Sequence, residues 1–246
     1  MAGHGTGALP DLTKYDAVLF DLDGVLTPTA EVHMHAWRAT FTALFAEWGI
    51  APEYTDADYF ASLDGKKRYD GVATLLRQRD VEVPWGSPDD APEAPTVCGI
   101  GNRKNLLFAR ILREEGVEPY PGSLRLLDAL REAGVPLAVV SSSKNAVEVL
   151  TAAKLLDRFT VIVDGVVAER EHLPSKPAPD VFLVAAERLG VVPARAAAVE
   201  DAISGVESAA AGAFGLVVGV DRGTGAEALA EAGAHLVVDD LDELVP

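Results

Sequence analysis

Residues 19–30 read "LFDLDGVLTPTA". The run leading into them, "YDAVLF" at 15–20, is short, apolar and stopped by Asp21, the pattern of a fully buried strand. A second carboxylate, Asp23, follows two residues later. Asp and Gly are common turn formers, so the stretch by itself also reads as a plain turn. The other strand ends of the chain decide between a turn and a catalytic pair.

After "YPG" at 120–122, helix and strand patterns alternate. "LRLLDALREAG" precedes "VPLAVVSSS", and "AVEVLTAAKLL" precedes "FTVIVDG". "PDVFLVAAERLG" precedes "AAAVED", and "SGVESAAAGAF" precedes "GLVVGV"; "GAHLVVDDLDELV" reads as a last strand and turn. Such alternation predicts a parallel sheet covered on both faces. The expected fold class is α/β, a Rossmann-like doubly wound parallel-sheet core with an inserted α-helical cap domain. The cap is the mainly helical interval that interrupts the alternation after the first strand. Apolar residues recur at helical spacing from Thr29 to Trp48, where Gly49 ends the helix. A second helical region covers 56–78, and helical pattern resumes over 102–115. Between these lies "VPWGSPDDAPEAP" at 83–95, an exposed acidic, Pro-rich loop. The expected organisation is a flexible tail 1–13, a catalytic core 14–32 and 112–246, and a helical cap 33–111.

The chain has 246 residues with 21 Lys and Arg against 38 Asp and Glu, a formal charge of −17. That balance argues against nucleic acid and anionic membrane as partners, which need clustered cations. It does not exclude a phosphorylated substrate, because a divalent ion and a few local cations can dominate one site. Cys98 is the only cysteine, which suits a reducing compartment. No run approaches the 18 or so apolar residues of a membrane span, and the first residues lack a leader pattern. The expectation is a soluble cytoplasmic monomer. A P-loop nucleotide site is excluded because no G-x-x-x-x-G-K-S/T stretch exists.

In open parallel sheets, ligands bind outside the carboxyl ends of the strands. Four such ends carry polar groups here: Asp21 and Asp23, Ser141 to Ser143, the loop reaching Lys176, and Glu200 with Asp201. A phosphate ester in that crevice would meet everything its transfer needs. Asp21, Glu200 and Asp201 offer carboxylate oxygens to a hard octahedral ion, most naturally Mg²⁺. The ion relieves carboxylate repulsion and screens an anionic substrate from an anionic nucleophile. Asp21 can then attack phosphorus, while Asp23 serves as general acid and base. Ser141 and Lys176 would hold the transferring phosphoryl oxygens.

The set resembles the motifs of the haloacid dehalogenase-like hydrolase superfamily: "DLDGV" at 21–25, "VVSSS" at 139–143, "SKPAPD" at 175–180 and "VEDAISG" at 199–205. The resemblance spans about residues 14 to 221 and implies an aspartyl-phosphate route with Mg²⁺. It makes Asp21 the nucleophile and Asp23 the acid/base. The metal end would comprise Asp21, Asp23 through its backbone carbonyl, Glu200 and Asp201.

Beyond these motifs, "DLDGVLTPTAEVHMHAW" at 21–37 resembles the β-phosphoglucomutase-like subgroup, through Thr29, His33 and Trp37. There the residue matching His33 lies at the hinge and hydrogen-bonds the acid/base Asp. "DGKKRYDG" at 64–71 resembles the subgroup's specificity loop, with Arg68 matching an Arg that grips the non-reacting phosphate. "NRKN" at 102–105 brings Lys104 and Asn105 toward substrate, and "SSSKN" at 141–145 brings Ser142, Ser143, Lys144 and Asn145. The chain departs from the subgroup at Asp64, where a Lys is usual, at Pro28, and in the added loop 84–95. The resemblance implies either a β-phosphoglucomutase, converting β-glucose 1-phosphate to glucose 6-phosphate through the 1,6-bisphosphate, or a phosphatase of a small sugar phosphate. A non-catalytic binding protein is disfavoured because no core motif is broken. A dehalogenase is disfavoured because Asp23 and the acidic metal end would have no task.

Overall fold

The computed structural model describes residues 9–246. The tail expected over 1–13 is partly corrected: Leu12–Lys14 form a 3-10 turn capped by Asp11, and Leu12 is fully buried in the core. Residues 1–8 of that expected tail lie outside the described residues.

The chain runs β1 (Ala17–Phe20), α1 (Thr29–Trp48), α2 (Asp56–Ser62), α3 (Arg68–Gln78), α4 (Val97–Glu115), α5 (Pro121–Glu132) and β2 (Leu137–Val140). It continues through α6 (Ala146–Ala152), β3 (Val161–Val163), α7 (Gly165–Arg170), α8 (Asp180–Leu189) and β4 (Ala196–Glu200). The last elements are α9 (Ile203–Ala211), β5 (Leu216–Val220), α10 (Ala226–Glu231) and β6 (Leu236–Val238).

The strands form one parallel sheet in the order β3-β2-β1-β4-β5-β6. This doubly wound order reverses direction between β1 and β4, which opens a crevice at their carboxyl ends. Phe20 stands level with both Val139 and Val199, so Asp21, Ser141 and Glu200 emerge at nearly one height. Every residue of β1, β2, β4 and β5 is buried, as expected of a sheet covered on both faces. Val18 and Phe20 pack with Leu126, Leu130 and Val139 on one face. Ala17 and Leu19 pack with Phe182, Ala185 and Val206 on the other. The alanines of β4 leave room for α9 to come close to the sheet.

Helices α1 to α4 form the helical layer above the strand ends, around Trp37, Phe41, Phe45, Tyr54 and Leu75. Its two long helices are continuous with the core, for Ala36 of α1 and Phe108 of α4 join the cluster that contains Phe20. Gly49 closes α1 in the left-handed conformation. The helical region expected over 56–78 is two helices, because residues 63–67 turn at Gly65 and bind the core. Helix α4 starts at Val97 rather than near Asn102, with the Thr96 hydroxyl accepting the Gly99 N–H. The short helices α7 and α10 have too few residues for a helical period to show in the sequence. Among the described residues no helix is long and apolar enough to cross a membrane.

Candidate active site

Asp21 leaves β1 with its N–H donating to the Val199 carbonyl at 2.9 Å, so the backbone of the central strand pair fixes it. Its two carboxylate oxygens are held separately. Lys176 Nζ donates to Oδ1 at 2.7 Å, and the Asp23 N–H donates to Oδ2 at 2.9 Å. The Lys176 ammonium also donates to Glu200 Oε1 at 2.5 Å and to the Val140 carbonyl at 3.1 Å. Its side chain is wholly buried, and Asp21 and Glu200 together hold its pKa above the usual lysine value against the cost of burial. Glu200 Oε2 accepts the N–H groups of Asp201 and Ala202, which fixes the turn after β4.

Carboxylate oxygens of Asp21, Glu200 and Asp201 lie within 4.8 Å of one another. Burial raises Glu200 to about 7 and Asp201 well above the usual carboxylate range, with neighbouring carboxylates adding to both. Gly24, at φ +88°, lets the β1 turn close over this group: a Cβ there would stand 1.8 Å from Asp201 Oδ2. Two further contacts hold the same turns. Arg222 Nε donates to the Gly24 carbonyl at 3.0 Å while its guanidinium lies 4.0 Å from the Tyr120 ring centroid. Thr224 Oγ1 donates to the Asp201 carbonyl at 3.1 Å.

Asp23 is raised to about 6, first by burial and then by the Asp21 charge. Its Oδ1 accepts from the Thr29 hydroxyl, and its Oδ2 stands 3.4 Å from Ser141 Oγ. His33 Nε2 lies 3.6 Å from Asp23 Oδ1, buried and without a hydrogen-bond partner. His33 Nδ1 is 2.5 Å from Lys104 Nζ. With Lys104 donating to Nδ1, the ring proton sits on Nε2, where it faces the Asp23 carboxylate. Burial, and then the nearby cations, push both His33 and Lys104 well below their ordinary pKa values.

The helical layer is closed over the strand ends. Ser142 Oγ donates to the Gly65 carbonyl at 2.7 Å, and Ser204 Oγ to the Asp64 carbonyl at 3.2 Å. The Lys67 N–H donates to Ser175 Oγ at 3.1 Å, and its ammonium to the Leu173 carbonyl. The cavity between the layers measures about 280 Å³. Its floor holds Asp21, Asp23, Glu200 and Asp201, and its roof holds Trp37, Asp64, Lys66 and Arg68.

Most sequence-predicted residues meet here: His33, Trp37, Arg68, Lys104, Ser142, Ser143 and Lys144 line the same cavity. Others stand behind its wall. Ser141 and Lys176 orient the floor. Asn105 Oδ1 accepts from Arg68 Nη2 at 2.7 Å and from Asn145 Nδ2 at 2.8 Å, and Thr29 holds Asp23. In the structure these polar atoms bond to residues that line the cavity or form its floor. Lys144 is engaged by Glu169 Oε2 at 2.7 Å.

Sequence reasoning missed the latch serines Ser175 and Ser204, and the pair Arg222 and Thr224. The last two follow β5 in "DRGTG", so the strand-end rule could have found them. Asp64, a departure by sequence, enters the cavity beside Tyr59 and is raised to about 6 by burial.

Comparison with known proteins bears on what this site does. The family described as haloacid dehalogenase-like hydrolase matches residues 15–212. A curated protein named β-phosphoglucomutase from Mycobacterium tuberculosis (strain CDC 1551 / Oshkosh) is 50% identical over 242 residues, covering 94% of this chain and 92% of that protein. The crystal structure of β-phosphoglucomutase from Clostridium difficile matches with a TM-score of 0.76 at 27% identity, over 94% of this chain and 93% of that one. A mutant of CbbY from Rhodobacter sphaeroides, in complex with xylulose-(1,5)-bisphosphate, matches with a TM-score of 0.71 at 25% identity, over 94% and 96%.

Proposed function

The chain belongs to the haloacid dehalogenase-like hydrolases, and from that premise we propose that it works as a β-phosphoglucomutase, converting β-glucose 1-phosphate to glucose 6-phosphate with Mg²⁺. The observation that carries this reading is the pairing, across one cavity, of the acidic floor at Asp21 with Arg68 in the roof. Moving a phosphoryl group between two carbons of one sugar requires a bisphosphate to be held in either orientation, which needs a grip at both ends. A phosphatase needs only the floor and must admit water. The latched roof and the relatives' names favour the mutase. In this reading residues 33–111 work as the cap, and the protein acts as a cytoplasmic monomer on a small phosphorylated sugar, without nucleic acid or membrane.

Asp21, with both oxygens oriented, attacks phosphorus and the bond to the sugar oxygen breaks. Asp23, raised to about 6, gives that oxygen its proton. Starting from the 1,6-bisphosphate attacked at its C1 phosphate, this step frees glucose 6-phosphate and leaves the phosphoryl group on Asp21. The Asp23 carboxylate then takes the proton from the 6-hydroxyl of an incoming β-glucose 1-phosphate, which attacks the aspartyl phosphate, frees Asp21 and gives the bisphosphate that turns round for the next transfer. Lys176 and Ser141 keep Asp21 and Asp23 in position through both transfers, and His33 presents its Nε2 proton to Asp23 when the cap is closed. The carboxylates of Asp21, Glu200 and Asp201, with the Asp23 carbonyl, fit a hard divalent ion by charge and spacing. Mg²⁺ bound there would neutralise the developing charge on the phosphoryl oxygens.

A coupled assay that consumes glucose 6-phosphate tests the reading. Turnover of the β anomer, with activity rising when a trace of glucose 1,6-bisphosphate is added, is expected. Phosphate release without glucose 6-phosphate would contradict it.

The acidic floor also predicts how stability responds to pH and metal. Asp23 and Asp64 near 6 and Glu200 near 7 keep protons that the unfolded chain, with ordinary values of 3.8 and 4.5, has already released. The folded state then binds more protons than the unfolded one, so metal-free stability falls as pH rises through about 5 to 7. His33 and Lys104, both depressed in the fold, work in the opposite sense below their ordinary values of 6.5 and 10.5, but are two groups against the four raised carboxylates Asp23, Asp64, Glu200 and Asp201. In EDTA the melting temperature should be lower at pH 8 than at pH 5.5, and Mg²⁺ should raise it more at pH 8. Calorimetry showing the reverse slope would contradict the account.

Arg222→Gln removes the charge that fixes the Gly24 carbonyl. It is expected to weaken Mg²⁺ binding by about tenfold or more in a calorimetric titration, as outer-sphere substitutions do.

A further inference from the structure

Trp85 lies in the acidic, Pro-rich loop that the catalytic chemistry leaves unused. It is 50% exposed, whereas Trp37 is 4% exposed. Among the exposed large apolar residues of the described chain, Trp85 is the one that lines the catalytic cavity. Half-exposing an indole forgoes favourable burial, so its place at a cavity mouth calls for a partner.

The loop holds the ring there with a fixed backbone. The Trp85 carbonyl accepts the Cys98 N–H at 3.0 Å, and the Pro84 carbonyl accepts the Val97 N–H at 3.0 Å, which ties the segment to the first turn of α4. Gly86 follows at φ +77°, where a Cβ would stand 2.1 Å from Asp90 Oδ2 and 2.6 Å from Thr96 Oγ1. Asn102 Nδ2 donates to the carbonyls of Pro88 and Asp90, each at 2.9 Å, and Tyr69 OH donates to Asn102 Oδ1 at 2.9 Å. The loop is therefore stapled to the same helical wall that carries Arg68. Lys144 lies 5.5 Å and Arg68 5.8 Å from the Tyr69 ring centroid, so the cations that suit a phosphate share one rim with this aromatic wall.

We propose that Trp85 is a stacking platform for the sugar ring, receiving the C–H face of a phosphorylated hexopyranose while the cations of the rim take its phosphate. A pyranose has an apolar face and a hydroxylated edge, which matches a flat indole beside charged groups. An indole carried on a backbone already tied in place costs less ordering when it binds. The proposal rests on the sugar-phosphate reading above and deepens it, since it names a residue that selects for the ring rather than for the phosphate.

The test compares Trp85→Ala and Trp85→Phe with the wild type, using Mg²⁺-loaded protein and two probes, glucose 6-phosphate and inorganic phosphate. Trp85→Ala should weaken glucose 6-phosphate binding and raise KM for β-glucose 1-phosphate by about tenfold, with kcat within about twofold and phosphate binding unchanged. Trp85→Phe should recover most of the loss. Wild-type sugar-phosphate affinity in Trp85→Ala would overturn the platform and leave the mutase standing. Equal loss for both probes would also overturn it, since the ring would then only shape the phosphate site. So would a rise in phosphate release at unchanged KM, which marks a water shield. A wild-type protein that binds inorganic phosphate but no hexose phosphate would overturn the substrate reading and the platform together.

Discussion

Asp21→Asn is expected to abolish isomerisation and any phosphate release together, lowering kcat by about 10⁴ or more. The amide keeps the size of the carboxylate and can still accept from Lys176, but it has no anionic oxygen with which to attack phosphorus. The substitution should not unfold the protein. Lys176 keeps Glu200 as its counter-charge at 2.5 Å, and the crowded floor loses one repelling carboxylate. A melting curve beside the kinetic assay separates loss of chemistry from loss of fold. Wild-type protein exposed to glucose 1,6-bisphosphate should also carry a covalent phosphoryl group that the variant lacks in intact-mass spectra. Turnover retained within about tenfold of wild type would overturn the aspartyl-phosphate route.

The second large effect falls on the roof. Arg68→Ala should lower the isomerisation rate by about 10² to 10³, because the bisphosphate loses its second grip and a charge-assisted, bidentate-capable contact. Any slow phosphate release from the aspartyl phosphate should persist, since the floor is untouched. The change also frees Asn105 Oδ1, which keeps Asn145 as a donor at 2.8 Å, so the wall stays ordered. The ratio of isomerisation to hydrolysis is therefore the informative quantity. An unchanged ratio would remove Arg68 from substrate binding and leave it as a packing residue against Tyr69.

The core of the fold was legible because its strands are buried on both faces and stop at polar residues. "DAVLF" before Asp21 and "AAAVE" at 196–200 announce themselves, and their register then brings distant motifs to one crevice. Turns that exist only through long-range contacts were not legible. The break at 63–67 looks helical in sequence, yet the Asp64 and Gly65 carbonyls accept from Ser204 and Ser142 across the closed cap. The start of α4 was hidden by Gly99 and Gly101, which lower helix propensity but let the Tyr69 ring and the Ala94 carbonyl pack close. Likewise Leu12 sits in a stretch of tail-like composition, and only its burial shows that the core begins there.

Site residues divide on the same physical line. Groups after β1, β2 and β4 were found because the fold class says where ligands bind and their side chains carry the chemistry. Arg222 and Thr224 reach the site through backbone carbonyls, which any sequence supplies, so no pairing of side chains pointed to them. Thr29, Asn105 and Asn145 were expected to meet substrate; in the fold each bonds a residue at the cavity or its wall.

The central claim is that one closed site moves a phosphoryl group between two ends of a sugar without losing it to water. A ³¹P NMR time course of the purified protein with Mg²⁺, β-glucose 1-phosphate and a trace of glucose 1,6-bisphosphate tests it most directly, because substrate, product and free phosphate are read together. The account predicts that the glucose 1-phosphate resonance is replaced by that of glucose 6-phosphate with little inorganic phosphate. Inorganic phosphate as the main product would contradict it.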